Sequence, residues 1–279
     1  MRIAVTGGSG FLGTFLLAVL KEELPDAVVL EVGRGQPLPE SDVVFHLAGS
    51  VGIEASLADP SLDLDSNAGE TLRRLEELRA ASRKPYFVLA SSCSVYGAAA
   101  SPVPEDAPRV PRSPYGASKA AAELLVGAYG FLAGIGGRIA RIANPYGPGQ
   151  RRLVVYDLAR RALAEPGPLR VRGTGEEIRD LVHGEDVARA LVAIATRGED
   201  GGIYNVGSGV PAAMRDVAAS IARAAGKRPE DIGFEGTGEP GKVDTFVPSI
   251  DRICALGFQP RRSLAEGLEE TVRWIEGRS

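Results

Sequence analysis

The stretch TGGSGFLG, residues 6–13, constrains this chain more than any other. It closes a short β-branched run, RIAVT (2–6), and opens a helical pattern near 11–23. Its glycines fit GxxGxxG through Gly7, Gly10 and Gly13, and GxGxxG through Gly8, Gly10 and Gly13. Between a strand and a helix, glycines let the backbone turn tightly and approach a pyrophosphate, whose charge meets the helix N-terminus. The same residues could form a plain tight turn, but the strand–turn–helix context is the one a dinucleotide site needs. An acid about 20 residues beyond such a turn can bind the adenosine ribose hydroxyls and disfavours a 2′-phosphate. Glu31 stands there, in AVVLEV (27–32), and points to NAD. Arg34 could instead pair with the 2′-phosphate of NADP, or be a solvated loop charge.

The rest of the first half repeats the alternation. DVVFHLA (42–48), YFVLAS (86–91) and RIARIA (138–143) read as buried strands, with helices near 63–82 and 115–130. Apolar strands with helices between them predict an α/β fold with a doubly wound parallel sheet. Only nine residues, Gly33 to Ser41, separate the second and third strands. A parallel crossover with its own helix needs roughly a dozen or more. Nine extended residues reach about 30 Å, enough to return without one. One helix and one strand usual in such sheets are therefore expected to be missing. Past Asn144 the pattern loosens, with helices near 153–165, 184–196, 212–225 and 263–277. This predicts a dinucleotide-binding domain over 1–144, with segments near 177–208 returning to it. Residues 145–176 and 209–279 would form a smaller C-terminal substrate-binding lobe over the sheet's C-terminal edge, where ligands bind.

Composition excludes some functions. The net charge of −4 gives no electrostatic reason to expect nucleic acid as the main partner. No apolar run is long enough to span a bilayer, and the N-terminus enters a strand pattern without the shape of a secretory leader. Cys93 and Cys254 make no CxxC and no disulfide framework, and no metal-ligand cluster stands out. These features predict a reduced, cytoplasmic protein that binds neither membrane nor metal.

Two further stretches carry chemistry. YFVLAS runs into ASSCSVYG (90–97), which puts serines at a strand's C-terminal end. In PYGASK (114–119), Tyr115 and Lys119 lie four apart and share one helix face. Taken alone, that pair is ordinary helix surface. A free phenol has a pKa of about 10, too weak a base at neutral pH. A nearby ammonium, and the cationic nicotinamide of NAD⁺, would favour the phenolate.

Together with HLAG (46–49), Asn67 ahead of a helix, RIANPYGPGQR (141–151), RDLVHGEDVARAL (179–191), YNVGSG (204–209) and LGFQP (256–260), these motifs resemble the extended short-chain dehydrogenase/reductase family. That family holds the NAD-dependent sugar epimerases and dehydratases, and the resemblance runs nearly the whole chain. It implies Tyr115 as acid/base, Lys119 as its partner and Ser92 as the hydroxyl that orients substrate. It implies a cofactor site of Gly7, Gly10, Phe11, Leu12, Gly13, Glu31, Arg34, Leu47, Ala48, Gly49, Asn67, Ser91 and Pro145, with Tyr115 and Lys119. Asn144 and Arg179 join Ser92 and Tyr115 on the substrate side. Arg179 would bind a diphosphate, unless it pairs with Asp180 or Glu177. Asp186 is read as capping or positioning the helix that follows, and Cys93 as a small buried apolar residue.

By resemblance, 4,6-dehydratases carry Asp-Glu after the catalytic hydroxyl residue. Here those places hold Cys93 and Ser94, so dehydration is not expected. Relatives also carry a phosphate-binding arginine in a stretch like R-P-G-D. EPGK (239–242) has Glu239 in its place, so Arg151, Arg152 or Lys242 would have to substitute, or the substrate is not a nucleotide sugar. Three readings remain: an NAD-dependent nucleotide-sugar epimerase acting at C4 through a 4-keto sugar, a net NAD(P)H-dependent reductase or dehydrogenase, and a non-catalytic dinucleotide-binding module. The family also implies a homodimer through the helices near 63–82 and 115–130, whose apolar faces could equally be internal core.

Overall fold

In the computed structural model, which describes residues 1–236 and 245–278, the alternation resolves into a six-stranded parallel sheet. Its first half comprises β1 (Arg2–Thr6), α1 (Phe11–Glu23), β2 (Val28–Val32) and β3 (Val43–His46). Then come α2 (Ile53–Ala58), α3 (Pro60–Leu64), α4 (Glu70–Ala80), β4 (Tyr86–Ser92), α5 (Pro114–Ala133) and β5 (Gly136–Ile142). Beyond them lie β6 (Asn144–Tyr146), α6 (Leu153–Ala164), β7 (Leu169–Val171), β8 (Ile178–His183), α7 (Gly184–Arg197) and β9 (Ile203–Val206). The last described elements are β10 (Pro211–Ala213), α8 (Met214–Ala224), β11 (Ile232–Phe234), β12 (Thr245–Phe246), α9 (Asp251–Ala255) and α10 (Leu264–Glu276). The strand order of the main sheet is β2-β1-β3-β4-β5-β9.

The strands read as continuous apolar runs because both faces are covered. Side chains alternate across a strand, so Ile3, Val5, Val43 and Phe45 face Leu16, Leu20 and Leu191 of α1 and α7. Ala4, Val44, Phe87 and Leu89 face Leu75, Ala122 and Val126 of α4 and α5. Register then sets the site. Thr6 pairs with His46, His46 with Leu89, and Ser92 with Ile142. The glycine turn, the HLAG segment, Ser92 and Asn144 therefore all emerge at one edge.

The missing helix and strand are as expected. β2 is the outer strand, and the chain crosses from it to β3 through a loop without a helix. That loop is fastened to α4 instead: Glu77 accepts from the Leu38 amide (2.7 Å), and Arg74 donates to the Gln36 carbonyl (2.6 Å).

The helix expected near 63–82 differs. It begins at Pro60, where the Asp59 side chain accepts from the Leu62 amide (2.9 Å), and widens into a π turn over Asp65–Gly69 before α4. The wider turn coincides with an inward-facing Asn67, a placement regular helical periodicity does not show.

The C-terminal half builds a second core. α6, α8 and α10 enclose Val155, Leu158, Leu181, Val217 and Leu268, beside a small sheet in which β8 pairs with β6, β10 and β12. Because β6 follows β5 after one residue and pairs with β8, Asn144 sits at the junction of the two layers.

Candidate active site

The site grows from the seating of α5 on the end of β4. Ser113 caps the helix, accepting from the Gly116 amide (3.1 Å), and Pro114 occupies the first turn. A Cβ on Gly116 would lie 2.5 Å from the Ser94 carbonyl oxygen, so only glycine allows the helix this close to the loop after Ser92. Lys119, one turn on, is buried and donates to the Ala90 carbonyl (3.2 Å). Its Nζ lies 5.9 Å from the centre of the Tyr115 ring. The Ser92 hydroxyl, hydrogen-bonded to Ser94 Oγ (3.2 Å), acts on the Tyr115 phenol in the sense that favours the phenolate. Ser92, Tyr115 and Lys119 thus come together, from segments far apart in the chain, at the wall of a cavity of about 970 Å³.

Electrostatics in the ligand-free site run against the simplest expectation. Burial pushes the Tyr115 phenol up to about 12, outweighing the nearby Ser92 hydroxyl, which favours the phenolate. Burial likewise lowers Lys119 to about 8, against the attraction of Asp63 and Glu123. The phenol therefore rests protonated, and Lys119 alone does not make it a base.

A second cavity, about 530 Å³, adjoins the first at Gly49 and Ser50. Gly7, Glu31, Arg34, Ala48 and Gly49 line it. Glu31 leans over the glycine turn, its Oε2 2.7 Å from where a Gly8 Cβ would sit. Arg34 is exposed at the rim, where its charge acts on Asp65. Gly10 begins α1 with no side-chain cap, leaving the first-turn N–H groups of Phe11 and Leu12 for an anion. A Cβ on Gly13 would run into the Gly7 and Gly8 carbonyl oxygens. An uncapped helix start, a turn that excludes side chains and an acid at the end of β2 fit NAD.

Leu12, Leu47, Ser91, Asn144, Pro145 and Arg179 line the larger cavity. Two residues expected at the cofactor, Phe11 and Asn67, are absent from the cavity walls. The Phe11 ring packs edge-on against Phe15, outside both cavity walls. Ser91 turns its hydroxyl to Glu123 (2.6 Å), leaving its backbone to the cavity. Asn67 lies one layer behind the wall, bonded to Ser50 and Ser118 (2.9 and 3.0 Å).

Asp180 accepts from Ser208 and Gly209, and Glu177 from Thr174 and Gly175, so backbone amides occupy both acids proposed as partners of Arg179. Asp186 does not cap its own helix, a task His183 performs. It binds the Arg261 and Arg262 amides instead (2.9 and 3.1 Å). Cys93 is buried, its thiol pushed up by burial, and donates to the Arg141 carbonyl. Arg151 and Arg152 line the larger cavity, whereas Glu239 and Lys242 lie outside the described residues. Among the described residues no group of three or more His, Cys, Asp or Glu could hold a metal ion, and no helix is long and apolar enough to cross a membrane.

Two features escaped the sequence reading. Asp63, Ser50 and Ser118 form a buried network with Asn67. Arg141 and Glu123 form a buried ion pair (2.7 Å) joining α5 to β5. The four-residue spacing of Asp63 and Asn67 was the visible signal for the first.

Comparison with known proteins fixes the family. The profile of the NAD dependent epimerase/dehydratase family matches residues 3–207. The chain belongs to that family. It is 30% identical to UDP-glucose 4-epimerase of Mycolicibacterium smegmatis over 316 aligned positions that cover all of both chains. It is 34% identical to GDP-6-deoxy-D-mannose reductase of Pseudomonas aeruginosa over 77% of each chain. Its fold superposes on that of MoeE5 in complex with UDP-glucose and NAD with a TM-score of 0.89, at 30% identity, covering 100% of this chain and 99% of the other. This extended short-chain dehydrogenase is thus an enzyme among nucleotide-sugar epimerases, dehydratases and reductases.

The glycine turn yields a test. Gly13→Ala should weaken NAD binding at least about tenfold, a loss of ~1.4 kcal/mol, by isothermal titration. Unchanged affinity would place the cofactor elsewhere.

Proposed function

We propose that this protein is an NAD-dependent nucleotide-sugar epimerase acting at C4, with Ser92, Tyr115 and Lys119 as its catalytic residues. The observation that carries this reading is the convergence of a hydroxyl, a phenol and a buried ammonium at a wide cavity that meets a dinucleotide-shaped cradle. Gly7, Gly10, Gly13 and Glu31 would hold the cofactor at its adenosine and pyrophosphate end. Leu47, Ala48, Gly49, Lys119 and Pro145 would hold it toward the reaction end. When bound, the nicotinamide supplies a reversible acceptor for the hydrogen at C4 and a positive charge beside the phenol.

The chain's own groups do the rest. Ser92 orients the substrate hydroxyl. Tyr115 Oη accepts its proton as C4 becomes a ketone, and returns that proton when the carbinol re-forms with the opposite configuration. The positive charge brings the phenol down from its ligand-free value, in the same sense as the Ser92 hydroxyl already acts, so the site turns basic only when loaded. Positions 93 and 94 supply a buried thiol and a hydroxyl, which gives no acid for removing water. Arg179, with Arg151 and Arg152 on the same cavity, suits a diphosphate. Residues 145–176 and 209–279 act as the substrate lobe.

A net reductase is the second reading, favoured by Arg34 at the adenosine rim. The two separate in one experiment. Purified protein with a panel of nucleotide hexoses should give the C4 epimer by NMR with no stoichiometric change in nicotinamide absorbance. Tyr115→Phe should lower kcat by about 10²–10⁴-fold. Stoichiometric cofactor turnover would support the reductase, and an active Tyr115→Phe enzyme would remove Tyr115 from the mechanism.

We also infer a homodimer. Leu57, Leu62, Leu64 and Leu72 on α2–α4 and Leu124 on α5 are exposed on helices that pack side by side. Exposed leucines gathered on packed helices suit a contact between copies of the chain. Sedimentation should show a dimer that Leu64→Glu with Leu124→Glu converts to monomer. A monomeric parent protein would refute it.

A further inference from the structure

Asp63 has no part in this scheme, yet it is a buried carboxylate (2% exposed) directly behind the Tyr115–Lys119 turn. Its hydrogen bonds go to hydroxyls and an amide rather than to a cation. Oδ2 accepts from Ser118 Oγ (2.6 Å), while Oδ1 accepts from the Ser50 hydroxyl and from Asn67 Nδ2 (3.3 Å). Ser118 precedes Lys119 and also contacts the Tyr115 carbonyl (3.0 Å). A carboxylate so buried is costly unless a countercharge lies near.

Asn67 presents its NH₂ group to Asp63 Oδ1, to Ser50 and to Ser118. That orientation turns Asn67 Oδ1 the other way, where it lies over Gly49 with no partner among the described residues. A Cβ on Gly49 would be 3.4 Å from Lys119 Nζ, so the unpaired oxygen faces the ammonium's end of the site. The charged or titratable groups facing Lys119 are Asp63 from α3, Glu123 and Tyr115 from α5 and His46 from β3. Burial holds His46 neutral, at about 3, which leaves Asp63 and Glu123 as the anions. Glu123 is already paired with Arg141 (2.7 Å).

We propose that Asp63 is a positioning residue for the proton-handling pair. Through Ser118 and Asn67 it fixes the first turn of α5 and the direction of the Asn67 oxygen, and its charge is the counterion of the Lys119 ammonium. This rests on Tyr115 and Lys119 being the reacting pair, so the test includes a measurement that needs no turnover.

The sequence has five lysines, Lys21, Lys84, Lys119, Lys227 and Lys242, so the Lys119 side chain can be followed by isotope-edited NMR of ligand-free protein. Asp63 favours the ammonium, so removing its charge lowers the midpoint. In Asp63→Asn and Asp63→Ser the Lys119 midpoint should fall from about 8 by about one pH unit. With substrate, kcat should drop at least about tenfold at little change in KM. Ser118→Ala, which keeps the carboxylate, should lower kcat while leaving the midpoint in place. A shifted midpoint in protein inactive toward every sugar would sustain the counterion and sink the epimerase reading. An unshifted midpoint in either folded Asp63 variant overturns the proposal. So does failure of both to fold, which would make Asp63 merely structural.

Discussion

The site depends on one contact, the first turn of α5 pressed against the end of β4. Gly116 allows it, by offering no Cβ to the Ser94 carbonyl, and Lys119 locks it by donating to Ala90. One turn further along, Glu123 binds Ser91 on β4 and Arg141 on β5. Arg141 reaches on to Tyr96, whose hydroxyl donates to Asn205 of β9. The helix is thus tied to three neighbouring strands. Ser92 and Tyr115 meet because the polar groups around them are satisfied and leave little room for another arrangement.

Burial makes that contact stable and sets the resting state of its chemistry. The environment that orders Tyr115 and Lys119 also resists their charged forms, raising the phenol to about 12 and lowering the ammonium to about 8. A site in this state does not deprotonate an alcohol. In the proposed reaction it becomes reactive only when a positive group is placed beside the phenol, which would couple proton transfer to loading of the adjoining cradle. Asp63 and the Glu123 carboxylate work in the opposite sense on Lys119, preserving the ammonium in a place where burial alone would remove it.

Much of this was legible in the sequence, because it rests on local physics. The glycine turn and the apolar strand runs each follow from backbone geometry and periodicity. Even the missing helix could be read from the length of the 33–41 loop. The polar networks behind the site could not. Asp63 meets Ser118, and Glu123 meets Arg141, only after the sheet has ordered the helices, and no spacing along the chain encodes either contact. The π turn that accompanies an inward Asn67 breaks the periodicity on which a helix reading depends. Asp180 and Glu177, the alternative partners considered for Arg179, are a related case. Beside Arg179 in the sequence they look like its partners, whereas the fold gives both to backbone amides.

In the proposed reaction, oxidation at a carbinol carbon is reversible and closed on one bound cofactor. Its most direct test is the fate of a deuterium label at C4 of a nucleotide hexose that the protein converts. The expected product is an epimer that retains the label at C4, with none in solvent and none in added free NAD. Label washed into solvent, or accumulated in free reduced cofactor, would contradict it.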